Sequence, residues 1–143
     1  MKKRNALPSL IKLRSIREKQ ARRELAAAQT EGRRALAEAE VRREQYEERP
    51  GLPPVLTAQE LRVLELQGIR SLELLAEAAA AYERARADAE LARTNWSVET
   101  ERLKSAERLE ERRKNDAALE AGRAAQRALD ELFLTMRRSE KPR

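Results

Sequence analysis

The sequence contains no cysteine and no histidine, and aromatic side chains make up only 3% of its 143 residues. The absence of cysteine excludes a disulfide framework, a thiol nucleophile and a thiolate metal site. No glycine-rich phosphate loop and no cluster of metal-ligating residues occurs in the sequence. We therefore predict no catalytic residue, no metal ion and no cofactor, and we expect that the protein is not an enzyme.

Long apolar runs are also missing. Lys12 and Arg14 interrupt the apolar residues near the start, so this stretch does not resemble the apolar core of a signal peptide. It is arginine-rich and poor in acids, as transit peptides are, but the same pattern continues into a long helical sequence. No run is long enough to cross a membrane. We expect a cytoplasmic protein.

Charged residues make up 39% of the chain, and alanine, leucine, glutamate and arginine are abundant. This composition is typical of long helices rather than of a compact globule. Alanine contributes much of the apolar content, and each alanine buries little area. The sequence therefore predicts a thin apolar seam between helices as the only core.

Proline and glycine cluster once, in the stretch RPGLPPVLTAQE at residues 49–60. Residues that precede proline are disfavoured in helices, and Thr57 with Glu60 forms the pattern of a capping box at a new helix start. We predict a single elongated all-α coiled-coil domain with helices at about residues 8–48 and 58–138 joined by a loop at 49–57. The helices form an antiparallel hairpin, in which the second, at about 120 Å, overhangs the first, at about 60 Å.

Small and apolar residues recur at alternating three- and four-residue spacing along both predicted helices, as in a heptad seam. In the first helix, after an apolar stripe at Leu7, Leu10, Leu13 and Ile16, the seam comprises Ala21, Leu25, Ala28, Gly32, Ala35, Ala39, Arg42 and Tyr46. In the second it comprises Leu61, Glu65, Gly68, Leu72, Leu75, Ala79 and Tyr82, continues less regularly through Ala89, Trp96, Thr100 and Leu103, and returns as Leu119, Gly122, Gln126, Leu129, Phe133 and Met136. Counting from a pairing of Glu48 with Ala58 places Ser9 beside residue 97 and leaves about forty residues without a partner.

Basic residues concentrate at the open end of the predicted hairpin, near the two chain termini. Residues 1–23 contain nine Lys and Arg and one Glu, a net charge of +8, and residues 137–143 carry +3. Many other charges form pairs three or four residues apart, such as Glu18 with Arg22, which support a solvated helix by about 0.2–0.5 kcal/mol each.

Three blocks resemble the flagellar export protein FliJ family and its type III secretion counterparts, the YscO/SctO proteins. They are LPSLIKLRSIREKQARRELAAA near the start, NWSVETERLKSAERLEER around Trp96, and EAGRAAQRALDELFLTMRR with its Asp130-Glu131 pair. The resemblance covers nearly the whole chain. It implies a stalk similar in shape to the gamma subunit of rotary ATP synthases, located at the cytoplasmic face of the inner-membrane export apparatus.

The resemblance also implies partners: a hexameric export ATPase, the cytoplasmic domain of the export-gate membrane protein, and export chaperones. Membrane association would then occur through partners alone. We assign the ATPase contact to the open end of the hairpin, at Leu10, Leu13, Arg14, Ile16, Arg17, Leu129, Phe133, Met136 and Arg137. We assign the gate contact to the closed end, at Tyr46, Leu61, Leu64 and Leu72, although the family's second tip tyrosine falls at Arg42 here. Each apolar residue could instead be ordinary seam packing, and each arginine a solvated charge.

Trp96 is assigned a structural packing role near the start of the first helix, with a binding hot spot as the alternative.

A binder of nucleic acid or anionic surfaces is a competing function for the basic end. The interleaved glutamates and the lack of stacking aromatics argue against it, so we expect no nucleic-acid partner. A coiled coil that homodimerises through the overhang is a third hypothesis, whereas we expect a monomer when the protein is free. The choice between a flagellar and a virulence-type system stays open, with the Trp96 block favouring the flagellar branch.

Overall fold

Two helices account for nearly all of the residues that the structure describes. The structure is a computed structural model, and it describes residues 5–141. Helix α1 spans Leu7–Glu47 and helix α2 spans Ala58–Ser139, with no strand in the described range. The helices pack against each other as a helical hairpin with α2 the longer, which confirms the predicted all-α fold class. The division of the chain into domains stays a prediction.

Both helices begin with side-chain caps. The Leu7 amide donates to Asn5 Oδ1 at 3.2 Å, just before the first turn of α1. At the start of α2 the Thr57 amide donates to Glu60 Oε2 at 2.9 Å, and the Glu60 amide donates to Thr57 Oγ1 at 3.2 Å. These reciprocal bonds are the capping box expected from the sequence, and they satisfy two amides that the helix itself leaves unpaired. The hydrogen bond from the Thr57 amide is the main cause that lowers the pKa of the Glu60 carboxyl, and the Thr57 side chain lowers it further.

The chain divides into two compact units, of which one is Ile16–Thr100. In this unit the less exposed positions alternate three and four residues apart on both helices, as the hairpin seam requires. The buried apolar residues of this unit are all alanines: Ala21, Ala35, Ala78 and Ala85. Small side chains at these layers allow the two helix backbones to approach closely, so the core is the thin alanine seam that the composition predicted.

On α1 the predicted seam residues from Ala21 to Tyr46 are all buried or half-buried. On the first half of α2 the predicted seam was right at Gly68, Leu75 and Tyr82 and one residue off at the positions between them. The residues that face α1 are Leu64, Gly68, Ser71, Leu75, Ala78 and Tyr82, whereas Leu61, Glu65, Leu72 and Ala79 are exposed. Apolar side chains occupy more than one stripe here, and four consecutive alanines precede Tyr82, so the pattern did not select a single face.

The alignment of the two helices differs from the predicted one. Glu18 pairs with Trp96, where counting from Glu48 and Ala58 had placed residue 88. At the closed end Arg49 packs against Gly68 of α2 rather than against a residue near Ala58. Its Nη1 lies 2.6 Å from the position that a Cβ would take at Gly68. The first turns of α2 thus extend past the end of α1, because the proline-rich loop is extended and returns the chain further along.

The second unit comprises the described residues up to Ser15 together with those from Glu101 onward. Leu7 and Ala106 are its buried apolar residues, and Arg113 Nη1 donates a hydrogen bond to Asn5 Oδ1. Counting alone had placed residue 97 beside Ser9, so the segment without a partner is shorter than forty residues. Every described residue from position 111 to position 141 is exposed.

Candidate functional site

Glu18 is a buried carboxylate in the seam of α1, with only 5% of its surface exposed. Its Oε1 accepts a hydrogen bond from Trp96 Nε1 at 2.9 Å and one from Arg22 Nη2 at 2.7 Å. The sequence had suggested a solvated pair between Glu18 and Arg22, but only Arg22 of the two is exposed. The packing role assigned to Trp96 thus includes a polar contact that joins α1 to α2.

The hydrogen bond from Trp96 lowers the pKa of the Glu18 carboxyl below its ordinary value of 4.5, with a further contribution from Arg22. Burial opposes this shift because it disfavours the charged form. A carboxylate with a lowered pKa stabilises the fold above its unfolded pKa, and this contribution is lost as the pH falls through the lower folded value.

We predict that the Glu18→Gln variant loses stability at pH 7 and that its deficit shrinks as the pH falls below about 4.5. The glutamine amide oxygen can still accept from Trp96 but carries no charge. Urea unfolding followed by helical circular dichroism at neutral and acid pH measures the deficit. Glu31 and Glu60 also have lowered pKa values, through Arg34 and Thr57, so the test is the difference between variant and wild type. A deficit that is independent of pH would contradict the role of the Glu18 charge.

The closed end of the hairpin presents a concave surface lined by both apolar and polar side chains, here called the tip surface. Tyr46, Leu52, Leu61, Leu64 and Gly68 are among the residues that line its depression. Arg49 fixes one wall, because its Nε donates to the Tyr46 carbonyl at 3.0 Å and its guanidinium lies 4.1 Å from the centre of the Tyr46 ring. This cation–π contact orients the tyrosine. The structure therefore brings together three of the four predicted gate-contact residues.

Leu72, the fourth predicted residue, does not line this depression and is 51% exposed. The prediction also missed Val55 and Val63, which line an adjoining hollow with Leu64 and are 86% and 49% exposed. A usable signal was in the sequence: the start of α2 carries more apolar residues than a single seam needs.

At the other end, α2 carries the stripe of six residues predicted at 119–136, here called the terminal stripe: Leu119, Gly122, Gln126, Leu129, Phe133 and Met136. Its four large apolar side chains are at least half exposed, with Phe133 at 66%. Apart from the adjacent residues and nearby backbone of α2, no atom lies within 4 Å of the position of a Cβ at Gly122. The exposed leucines, phenylalanine and methionine make this stripe a candidate interaction site.

The remaining predicted ATPase-contact residues lie elsewhere. Leu10 and Leu13 are 38% and 45% exposed, while Arg14 is half-buried in the position of a seam residue. In the same unit Asn5 meets Arg113, so Leu129 lies sixteen residues, or roughly 24 Å, further along α2. The two groups therefore do not form one continuous patch. Ile16 and Arg17 are exposed on the other unit.

Within residues 5–141, neither helix has an apolar stretch long enough to span a membrane. A model of the family described as Flagellar FliJ protein matches residues 2–142, which is nearly the whole chain. No curated protein and no solved structure matches the sequence of this chain.

Proposed function

Because the chain belongs to the FliJ family, whose members are non-enzymatic cytoplasmic components of the flagellar export apparatus, we propose that it binds and stimulates the hexameric export ATPase. The contact is made by the terminal stripe of α2, with Arg137 at its end. The observation that carries this proposal is the exposure of every described residue from 111 to 141, in a segment that includes a regular apolar stripe.

The chemistry of the segment supports a protein partner. A single helix that exposes leucine, phenylalanine and methionine on one face gains stability when a groove or pore covers that face. Arg137 and Arg138 lie in the last turn of α2, where their charges complement the helix dipole and can reach acidic groups of a partner. Binding energy then comes from the stripe, and the arginines contribute mainly to the rate and orientation of association.

ATP hydrolysis by the purified cognate ATPase, measured while the full chain is titrated in, tests the proposal. We expect the rate to rise and to saturate at about one chain per hexamer, since a single central site on a closed ring admits one asymmetric helix. An unchanged rate at saturating chain, with the ATPase assembled as hexamers, would remove the proposal.

The tip surface is proposed to bind the cytoplasmic domain of the export-gate protein, through Tyr46, Leu61 and Leu64 with the neighbouring Val55 and Val63. Leu72 belongs to this proposal as an outlying contact. What supports it is a concave surface on the loop side of the hairpin that exposes leucines among polar groups, with a tyrosine held in place by Arg49. Tyrosine in such a setting is a frequent binding hot spot.

We predict that Val63→Asp weakens binding to the gate domain by about ten-fold or more, because a carboxylate would be desolvated in the contact. Leu91→Asp is the matched control, since Leu91 is an exposed apolar residue of the same helix and lines neither tip depression. Calorimetry with the isolated gate domain measures both. Equal affinities of the two variants for the gate domain would exclude the tip surface as the gate contact.

Chaperone binding is also proposed, at the exposed leucines Leu10 and Leu13 beside Arg14. Ile16 and Arg17 belong to the other unit and stay proposed ATPase contacts. The same hydrolysis assay with Leu10→Ser separates the chaperone role from the ATPase role. A normal ATPase response together with lost chaperone binding supports the chaperone role. The export partners would hold the chain at the cytoplasmic face of the inner membrane.

A further inference from the structure

The terminal stripe is flanked by charges of alternating sign. In heptad terms Leu119, Gln126 and Phe133 occupy the first core position, and Gly122, Leu129 and Met136 the second. Arg123, Asp130 and Arg137 directly follow these second core positions, and Asp116 takes the same heptad position one repeat earlier, after Asn115. Acid and base thus alternate every seven residues along one edge of the stripe. Charges at such flanking positions set the choice and the orientation of a coiled-coil partner.

The alternation is complementary to itself when two copies run antiparallel. In that arrangement this edge of one helix faces the same edge of the other. Asp116 then meets Arg137 of the second copy, and Arg123 meets its Asp130, and the twofold axis repeats both pairs. A parallel arrangement would place Ala118, Ala125, Leu132 and Ser139 opposite these charges, none of which is charged. The edge charges therefore favour antiparallel pairing.

The core layers are complementary in size in the same arrangement. Phe133 of one copy faces Gly122 of the other, and apart from the adjacent residues and nearby backbone of α2 no atom lies within 4 Å of the Gly122 Cβ position. The outer layer pairs Leu119 with Met136, and the central layer pairs Gln126 with Leu129. Large side chains thus enter space that the small residue leaves open.

We propose that a second copy of this chain docks antiparallel on the terminal stripe and forms a homodimer with four interchain ion pairs. Existing contacts leave these groups accessible: the Arg123 side chain is 73% exposed, 4.0 Å from Glu120, and Asp130 accepts a hydrogen bond from Gln126 at 3.0 Å. This inference goes beyond the proposed function and replaces the expectation of a free monomer. Because both partners use the terminal stripe, the dimer and the ATPase complex exclude each other.

Sedimentation equilibrium of the full chain alone tests the proposal. We expect a dissociation constant in the micromolar range, about −8 kcal/mol, from three kinds of core layer that the twofold axis repeats, so dimers should predominate as the concentration is raised to about 200 µM. Arg123→Asp replaces two attractive pairs by two repulsive ones and weakens dimerisation about ten-fold. The double variant Arg123→Asp with Asp130→Arg restores the charge pairing, so its dissociation constant returns to near the wild-type value. Circular dichroism checks that both variants keep the wild-type helix content.

A wild type that stays monomeric over this range overturns the proposal. So does an Arg123→Asp variant that dimerises as tightly as the wild type, or a double variant that stays as weak as the single one. None of these results affects stimulation of the ATPase, which is measured with the partner present. The two proposals can therefore fail separately.

Discussion

Deletion of residues 119–143 is expected to abolish stimulation of the export ATPase. The deletion removes the whole terminal stripe and Arg137, so neither the apolar contact nor the flanking charge remains. The hairpin should stay folded, because the buried apolar residues all lie at or before Ala106 and each described residue from 111 to 141 is exposed. The rate of ATP hydrolysis with saturating truncated chain is expected to equal that of the ATPase alone.

A point variant tests the apolar contact of the terminal stripe without shortening α2. Leu129→Ser is expected to reduce the apparent affinity for the ATPase by about ten-fold, since a buried leucine contributes about 1.5–3 kcal/mol. Leu91→Ser is the matched control, with 62% of Leu91 exposed against 50% of Leu129. If the truncated chain stimulates normally, or if the two leucine variants behave alike, the terminal stripe is not the contact.

Trp96→Phe is expected to destabilise the hairpin by about 1.5–3 kcal/mol, more than loss of ring area explains. The phenylalanine ring fills most of the space but donates no hydrogen bond. Glu18 would then stay buried but lose the hydrogen bond from Trp96, and of its two hydrogen bonds only that from Arg22 would remain. Removal of one partner of a buried charged pair costs the desolvation of the group that stays. Urea unfolding at neutral pH measures the loss.

The double-mutant cycle with Glu18→Met identifies the cause. Methionine replaces the carboxylate by an apolar chain of similar length, so Trp96→Phe with Glu18→Met together leave no buried charge. We expect the double variant to be close to wild type in stability, and more stable than Trp96→Phe alone, because apolar replacement of both partners is often neutral. Additive losses would show that the Glu18–Trp96 contact contributes no coupling.

The sequence predicted the helices well because their limits depend on local chemistry. Prolines at 50, 53 and 54 stop α1, and Thr57 with Glu60 starts α2, all within a few residues of one another. The alignment of the two helices was wrong because it depends on the path of the loop. Nothing in the residues 49–57 themselves specifies how far the chain advances before α2 meets α1.

The contact between Glu18 and Trp96 could not be predicted because it joins residues 78 positions apart. A glutamate four residues before Arg22 also reads as a surface pair. The three-four spacing of α1 extends from Ala21 back to Glu18, but only the corrected alignment places Trp96 opposite it. The face of α2 that packs against α1 was also hard to predict, because adjacent alanines such as Ala78 and Ala79 are chemically identical. The terminal stripe was found because its large residues leave no such ambiguity.

Hydrogen exchange along α2, with and without the ATPase, tests the central claim that the end of this helix packs against no other part of residues 5–141 and is covered by another protein. The free chain is measured at dilute concentration, where copies stay apart. We expect fast exchange for amides 112–139 and slow exchange for amides 75–106, because a helix without tertiary packing opens at little cost. Addition of hexameric ATPase is expected to protect amides 119–138. Equal protection of both regions in the free chain, or no added protection with the ATPase, would contradict the claim.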